Sequence, residues 1–169
     1  MKDYVDKLVE IKIRGYEYFI GVFINYGKEW VIIRNISGDY IIDGFKIINR
    51  KFIVSISLIN SEPLKTIVKL KHLNFVYKLD YDLNNTVSLI RDIKKNGDLI
   101  FVLLANEDMA FVGFVDEIHQ KSLNLRDLTS KGEMSGFVKN YKFDKIRIIE
   151  TKTDYLDSLE IYLKYTQKG

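Results

Sequence analysis

Hydrophobic and polar residues alternate along this chain in short runs, and the period of most runs is two. Residues 9–14 read V-E-I-K-I-R, an apolar side chain at every second position, which predicts a strand with one face on a core. Residues 18–24 and 30–34 are apolar and rich in β-branched side chains. Asn25-Tyr26-Gly27-Lys28 between them predicts a hairpin turn, and Ser37-Gly38-Asp39 a second turn. Residues 40–48 form a further apolar run broken by Asp43-Gly44, where glycine permits a positive φ or a bulge. Residues 52–56 are a fifth. The period then changes: Ser61 can cap a helix and Pro63 suits its first turn, where its missing N–H needs no partner. Leu64, Ile67, Val68 and Lys71 supply the helical spacing.

The second part of the chain repeats this order behind a leading helix. Residues 83–95 predict that helix, with Asp80 or Asp82 at its start, Gly97 at its end, and Leu83, Val87, Ile90 and Lys94 on one stripe. Strands are expected at 99–105, 110–118, 122–126, 137–143 and 146–150, with a turn at Lys131-Gly132-Glu133. A last helix over 155–165 would bury Leu156, Leu159 and Leu163.

The two parts match in detail. FIGVFINYGKEWVIIRNIS at 19–37 lies on FVGFVDEIHQKSLNLRDLT at 111–129 without a gap, at an offset of 92. Phe19 falls on Phe111, Gly21 on Gly113 and Arg34 on Arg126. The flanks repeat too, which points to an internal duplication. A glycine inside a strand marks a bulge or sharp bend, and a five-stranded sheet bent at Gly21 and Gly113 would close into a small barrel without free edges. The expected fold is mainly β (α+β): two tandem five-stranded barrels, each with an accessory helix. The first unit would span 1–78 and the second 79–169, with the boundary near 74–85. The units are expected side by side, as a pseudo-dimer joined by an edge strand or the linking helix.

Composition narrows the chemistry. Eleven Tyr, ten Phe and one Trp favour strands, and the absence of cysteine excludes disulfides, thiolate zinc sites and cysteine nucleophiles. No N-terminal apolar run has the length of a signal peptide and no stretch approaches a membrane span, so a cytoplasmic chain is expected. The net charge of +3 sits early: residues 1–80 carry 13 Lys/Arg against 9 Asp/Glu, residues 81–169 carry 13 against 14.

These segments resemble a group of uncharacterised bacterial proteins built from two tandem Sm-like small-barrel units. The resemblance rests on Asp43-Gly44-Phe45 before the fifth strand, and on Phe111-Val112-Gly113 and Gly132 in the second part. Asp144-Lys145-Ile146 running into Thr153-Asp154-Tyr155-Leu156-Asp157-Ser158-Leu159 completes it. It implies a fold and carries no activity. The short Asp/Asn and Arg/Gly loop motifs with which RNA-binding Sm proteins contact uridines have no counterpart here.

Catalytic sites are poorly supplied. Two histidines, no cysteine, no P-loop, no G-x-G-x-x-G and no H-E-x-x-H leave no catalytic residues, cofactor or metal to expect. Asp116, Glu117 and His119 would alternate across a strand rather than converge. His72 would sit at a helix end, where it favours the dipole. Arg34 and Arg126 are either anion clamps or structural bonds to turns, and their equivalent placement favours structure. The expectation is therefore a non-catalytic binding protein. Tyr16, Tyr18, Tyr26, Trp30 and Tyr40 are the aromatics that would anchor a protein partner. The alternative is nucleic acid or nucleotide, held by Lys139, Lys142, Lys145 and Arg147 with Tyr141 as a stacking ring. A second basic group, Lys65, Lys69, Lys71 and Lys78 beside Phe75 and Tyr77, has the same character.

Overall fold

The computed structural model describes residues 1–72, 79–106 and 108–166. These form ten strands and three α-helices: β1 Leu8–Ile13, β2 Phe19–Tyr26, β3 Trp30–Ser37, β4 Ile41–Asn49, β5 Ile53–Leu58, α1 Glu62–His72, α2 Thr86–Asn96, β6 Ile100–Leu103, β7 Ala110–Ile118, β8 Ser122–Leu128, β9 Met134–Lys142, β10 Ile148–Thr151 and α3 Asp154–Thr166. Short 3-10 turns precede β1, β5 and β10. The fold is mainly β, as the alternation predicts.

All ten strands join one antiparallel sheet in the order β5-β1-β2-β3-β4-β10-β6-β7-β8-β9. The first five stand as β5-β1-β2-β3-β4 and the last five as β10-β6-β7-β8-β9, the same order twice. Register agrees with this. Gly21 pairs with Asn35 and Val22 with Arg34; Gly113 pairs with Asp127 and Phe114 with Arg126. The β2 ladder slips between Phe23 and Asn25, the β7 ladder between Val115 and Glu117. All of these positions are related by the offset seen in the sequence. Both glycines are also explained: a Cβ on Gly21 would lie 2.4 Å from the Arg34 carbonyl oxygen, and one on Gly113 2.3 Å from that of Arg126. They permit close backbone approach, and the bulge falls two residues later.

The expected closure of each sheet on itself does not appear in the hydrogen bonding. Among the described residues the ladder is open, with β5 and β9 as its outer strands. The edge of β4 is instead covered by β10, through Ile48↔Ile148, Ile47↔Ile149, Lys46↔Glu150 and Phe45↔Thr151. The four isoleucines of this junction are fully buried, the apolar pattern of strands covered on both faces.

Apolar clusters show how the sheet bends. One draws on Val9, Ile11 and Ile13 of β1, Phe23 of β2, Val31 and Ile33 of β3, Ile48 of β4 and, at its margin, Ile53 and Ile56 of β5. Strands at opposite ends of the first five thus meet in one cluster. The larger cluster does the same for β6–β10 and adds Trp30, Ile32 and Ile47 from β3 and β4, capped by α2. On the outer face, α1 packs Val68 and Leu64 against Ile20, Val22 and Ile36, and α3 packs Leu156, Leu159 and Leu163 against Val112, Phe114 and Leu128. Those strand positions are again equivalent pairs.

Helix α2 departs from expectation. It starts at Thr86, and its cap is Asn85, whose side chain accepts from the Ser88 N–H at 3.1 Å. Asp82 instead accepts from the Asn84 N–H, and Leu83 lies in a turn ahead of the helix, its carbonyl accepting from the N–H groups of Glu29 and Trp30. The buried stripe is consequently Leu89, Ile90 and Ile93, with Lys94 exposed. Gly97 ends the helix in a left-handed conformation, φ 69°, as its sequence position suggests.

Candidate binding site

The basic and aromatic residues of the second part separate in space. Tyr141 is buried in the main cluster, its ring 5.0 Å from that of Phe111, so it offers no face to a base. Lys139 is exposed but ion-paired to Asp127 at 2.9 Å, with its ammonium 5.4 Å from the centre of the Phe111 ring. Arg147 stacks over Phe52 at 5.0 Å and donates to the Arg14 carbonyl, which ties the two parts together. Lys145 stands near its neighbour Asp144. Lys142 is exposed and lines a groove. Of the first basic group, Lys65 bonds Asn60 and Glu62, and Lys71 donates to the Tyr40 carbonyl. Lys78, Phe75 and Tyr77 lie outside the described residues, as does the His72 side chain.

The aromatic anchors divide as well. Trp30 is fully buried, and its indole N–H donates to Thr86 Oγ1 at 2.9 Å. Tyr16 is buried, with its hydroxyl donating to the carbonyls of Leu104 and Asn106. Both are structural. Tyr18, Tyr26 and Tyr40 are exposed. Arg34 is buried over the Phe45 ring at 4.5 Å, whereas Arg126 is exposed and paired with Asp116 at 2.8 Å. Glu117 meets Asn124 and, at 3.6 Å, His119. Among the described residues no three of His, Cys, Asp and Glu stand close enough to hold a metal. No described helix is long and apolar enough to cross a membrane.

Two surface features remain. The first is an open groove where the β2–β3 and β4–β5 turns meet the β7–β8 and β9–β10 turns at the start of α2. It comprises two adjoining clefts that share Glu29, Thr86, Phe143 and Asp144; Lys28, Arg50 and Lys51 line one, and Lys121 and Lys142 line the other. Its floor is self-satisfied: Glu29 accepts from the backbone N–H and hydroxyl of Thr86, and Arg50 donates to the Gly27 and Lys28 carbonyls. The second is β9. Among the described residues it pairs only with β8, and most of its residues are exposed, including Met134, Phe137 at 71% and Val138 at 51%. Its counterpart β4 is buried by β10. The sequence marks this difference at one place, where Ile47 of β4 corresponds to Asn140 of β9, and the rest arises from which strand lies alongside.

A buried polar cluster lies beside α3. Tyr81 donates to Asp98 at 2.6 Å, and Lys152 pairs with the other Asp98 oxygen at 2.8 Å. Burial, reinforced by Asp98, pushes the Tyr81 phenol far above its ordinary range. Burial opposes the Lys152 charge, but the hydrogen bond and charge of Asp98 outweigh it and raise that pKa. Burial also raises the Tyr141 phenol, with Asp127 adding to it. No open groove among those described includes these groups. No known protein family and no curated protein matches the chain.

Proposed function

We propose that this protein is a non-catalytic protein-binding module made of two tandem Sm-like small-barrel units, and that its binding element is the open edge of β9. The repeated strand order, the equivalent bulges and the clusters reached by all five strands of each part support the fold reading. The observation that carries the function is the contrast between two equivalent strands. β4 is sealed by a neighbouring strand, whereas among the described residues β9 pairs only with β8 and has Met134, Phe137 and Val138 exposed. An exposed apolar edge is a ready template for a further strand, whose main-chain bonds give affinity and whose side chains give selectivity. Exposed Tyr18, Tyr26 and Tyr40 add further contact area for protein on the first unit.

The test is affinity capture from a lysate with wild type and with Phe137→Asp, after nuclease treatment and across a salt series. A captured protein that persists in salt and is lost from the variant supports the reading. Capture of the same protein by both chains overturns it.

A second reading has its own observation. The equivalent turns of both units line one groove with five cations against two acids, which suits nucleic acid or a nucleotide. Phosphate contacts would make binding fall steeply with salt and fail in Lys121→Glu/Lys142→Glu. Protein-borne absorbance at 260 nm that vanishes in high salt would put this reading first.

A further inference from the structure

The solvent side of α3 is apolar where a surface helix is ordinarily polar. The helix buries Leu156, Leu159 and Leu163 against the sheet. On its opposite side Ile161 is 69% exposed and Tyr165 77%, and Tyr155 and Tyr162 are each about half exposed. The equivalent helix of the first part differs: α1 exposes Thr66 and Lys69 beside Leu70.

The exposed residues of α3 are ordered. Asp154, Ser158, Ile161 and Tyr165 recur at spacings of four, three and four residues, the pattern of a seam between two packed helices. Tyr155 and Tyr162 flank this seam on one side, and Asp157 and Lys164 on the other. Tyr155 stacks on Phe101 at 5.4 Å and the Tyr162 ring lies against Gly132, so both rings are held in place. Charge runs along the helix, with Asp154, Asp157 and Glu160 first and Lys164 last. Lys164 reaches Glu160 at 3.4 Å. The acids are in excess at the start: partial burial, with Glu160, Asp154 and Asp43 close by, holds the Asp157 carboxyl above its ordinary range against the opposing charge of Lys152.

We propose that α3 pairs with α3 of a second copy of this chain, the two helices antiparallel about a two-fold axis near Ile161. Antiparallel helices bring each flank against the same flank of the other copy, in reversed order. Asp157 then stands opposite Lys164 of the second copy, and Lys164 opposite its Asp157. On the other flank Tyr155 meets Tyr162 of the second copy. Ile161 packs beside its own equivalent at the axis, and the small Ser158 leaves room for the Tyr165 ring. A parallel pair would instead set Asp157 and Lys164 against the tyrosine flank and desolvate both charges without a partner, so charge selects the antiparallel arrangement. The contact is isologous and closes at two chains. The helix is about 20 Å long, so the contact is smaller than a standard interface and the dimer dissociates on dilution.

Light scattering over a concentration series tests the pairing. Wild type should rise from its chain mass of 19.8 kDa towards twice that mass. Ile161→Asp should stay at 19.8 kDa with an unchanged melting temperature, because the side chain is exposed. Lys164→Glu should raise the dissociation constant several-fold, and Asp157→Lys/Lys164→Glu should bring it back, since the exchange restores both ion pairs. Phe137→Asp on the β9 edge should dimerise as wild type does, so this inference and the reading of β9 fail separately. The chain has no cysteine, so Ile161→Cys should oxidise in air to a disulfide-linked dimer, faster than Leu70→Cys, a similarly exposed position on α1. Wild type that stays at 19.8 kDa at every concentration, a dimer that survives Ile161→Asp, or cross-linking no faster at 161 than at 70 overturns the pairing. An unchanged dissociation constant in Lys164→Glu overturns its antiparallel register.

Discussion

Lys46 of β4 and Glu150 of β10 form an ion pair across the junction of the two five-stranded parts, with both side chains largely buried, at 10% and 15% exposure. The Lys46 ammonium also lies over the Phe19 ring at 4.5 Å. Removing one partner leaves the other charge poorly solvated. Glu150→Met should therefore cost roughly 3 kcal/mol by denaturant titration, while Lys46→Met/Glu150→Met should recover most of the loss, because a buried pair and an apolar pair of similar size are close in energy.

Gly21 and Gly113 should respond alike to substitution. Each faces a carbonyl oxygen of the adjoining strand at a distance no Cβ tolerates, and backbone cannot move aside as a flexible side chain can. Gly21→Ala and Gly113→Ala should each cost about 1–3 kcal/mol, read as a drop in melting temperature. Gly97→Ala meets no atom within 4 Å, so its cost comes only from the left-handed backbone and should be smaller.

Trp30 and Thr86 couple the first part to α2. Thr86 Oγ1 accepts from the indole N–H and donates to Glu29, and the Thr86 N–H bonds the same carboxylate. Thr86→Val keeps the shape and strands the buried indole donor. A loss of about 1–3 kcal/mol is expected, with Thr86→Ser close to wild type in the same unfolding measurement.

Stability should fall in alkali. Tyr81 and Lys152 both have folded-state pKa values above their ordinary ones, so the folded chain holds those protons more tightly than the unfolded chain. Their stabilisation is complete below about pH 10 and is lost as pH rises through the folded values, at roughly 1.4 kcal/mol per pH unit for each group. Tyr81→Phe should flatten this slope between about pH 10 and 11, as followed by denaturation midpoints. Tyr141, also raised, leaves part of the slope in place.

Local features were legible in the sequence and non-local ones were not. Alternation at 9–14 gives β1, and the Leu156, Leu159 and Leu163 spacing gives α3, because period and burial are set within one element. Asn85 and the two aspartates share the same capping preference, so the start of α2 was set by Leu83, which bonds to Glu29 and Trp30 on another strand. Trp30 and Tyr16 carry the composition of interface anchors, and only their distant partners, Thr86, Leu104 and Asn106, make them structural. The open edge of β9 was only partly legible, in Asn140 where β4 has Ile47. β4 and β9 occupy equivalent places, and the pairing of β4 with β10 separates them.

The most direct test is hydrogen–deuterium exchange of the full chain. β9 amides not bonded to β8 are expected to exchange rapidly, while the amides of the β4–β10 junction stay protected. Exchange across β9 as slow as across β4 would mean that the edge is already satisfied and would contradict the reading of β9 as the binding element.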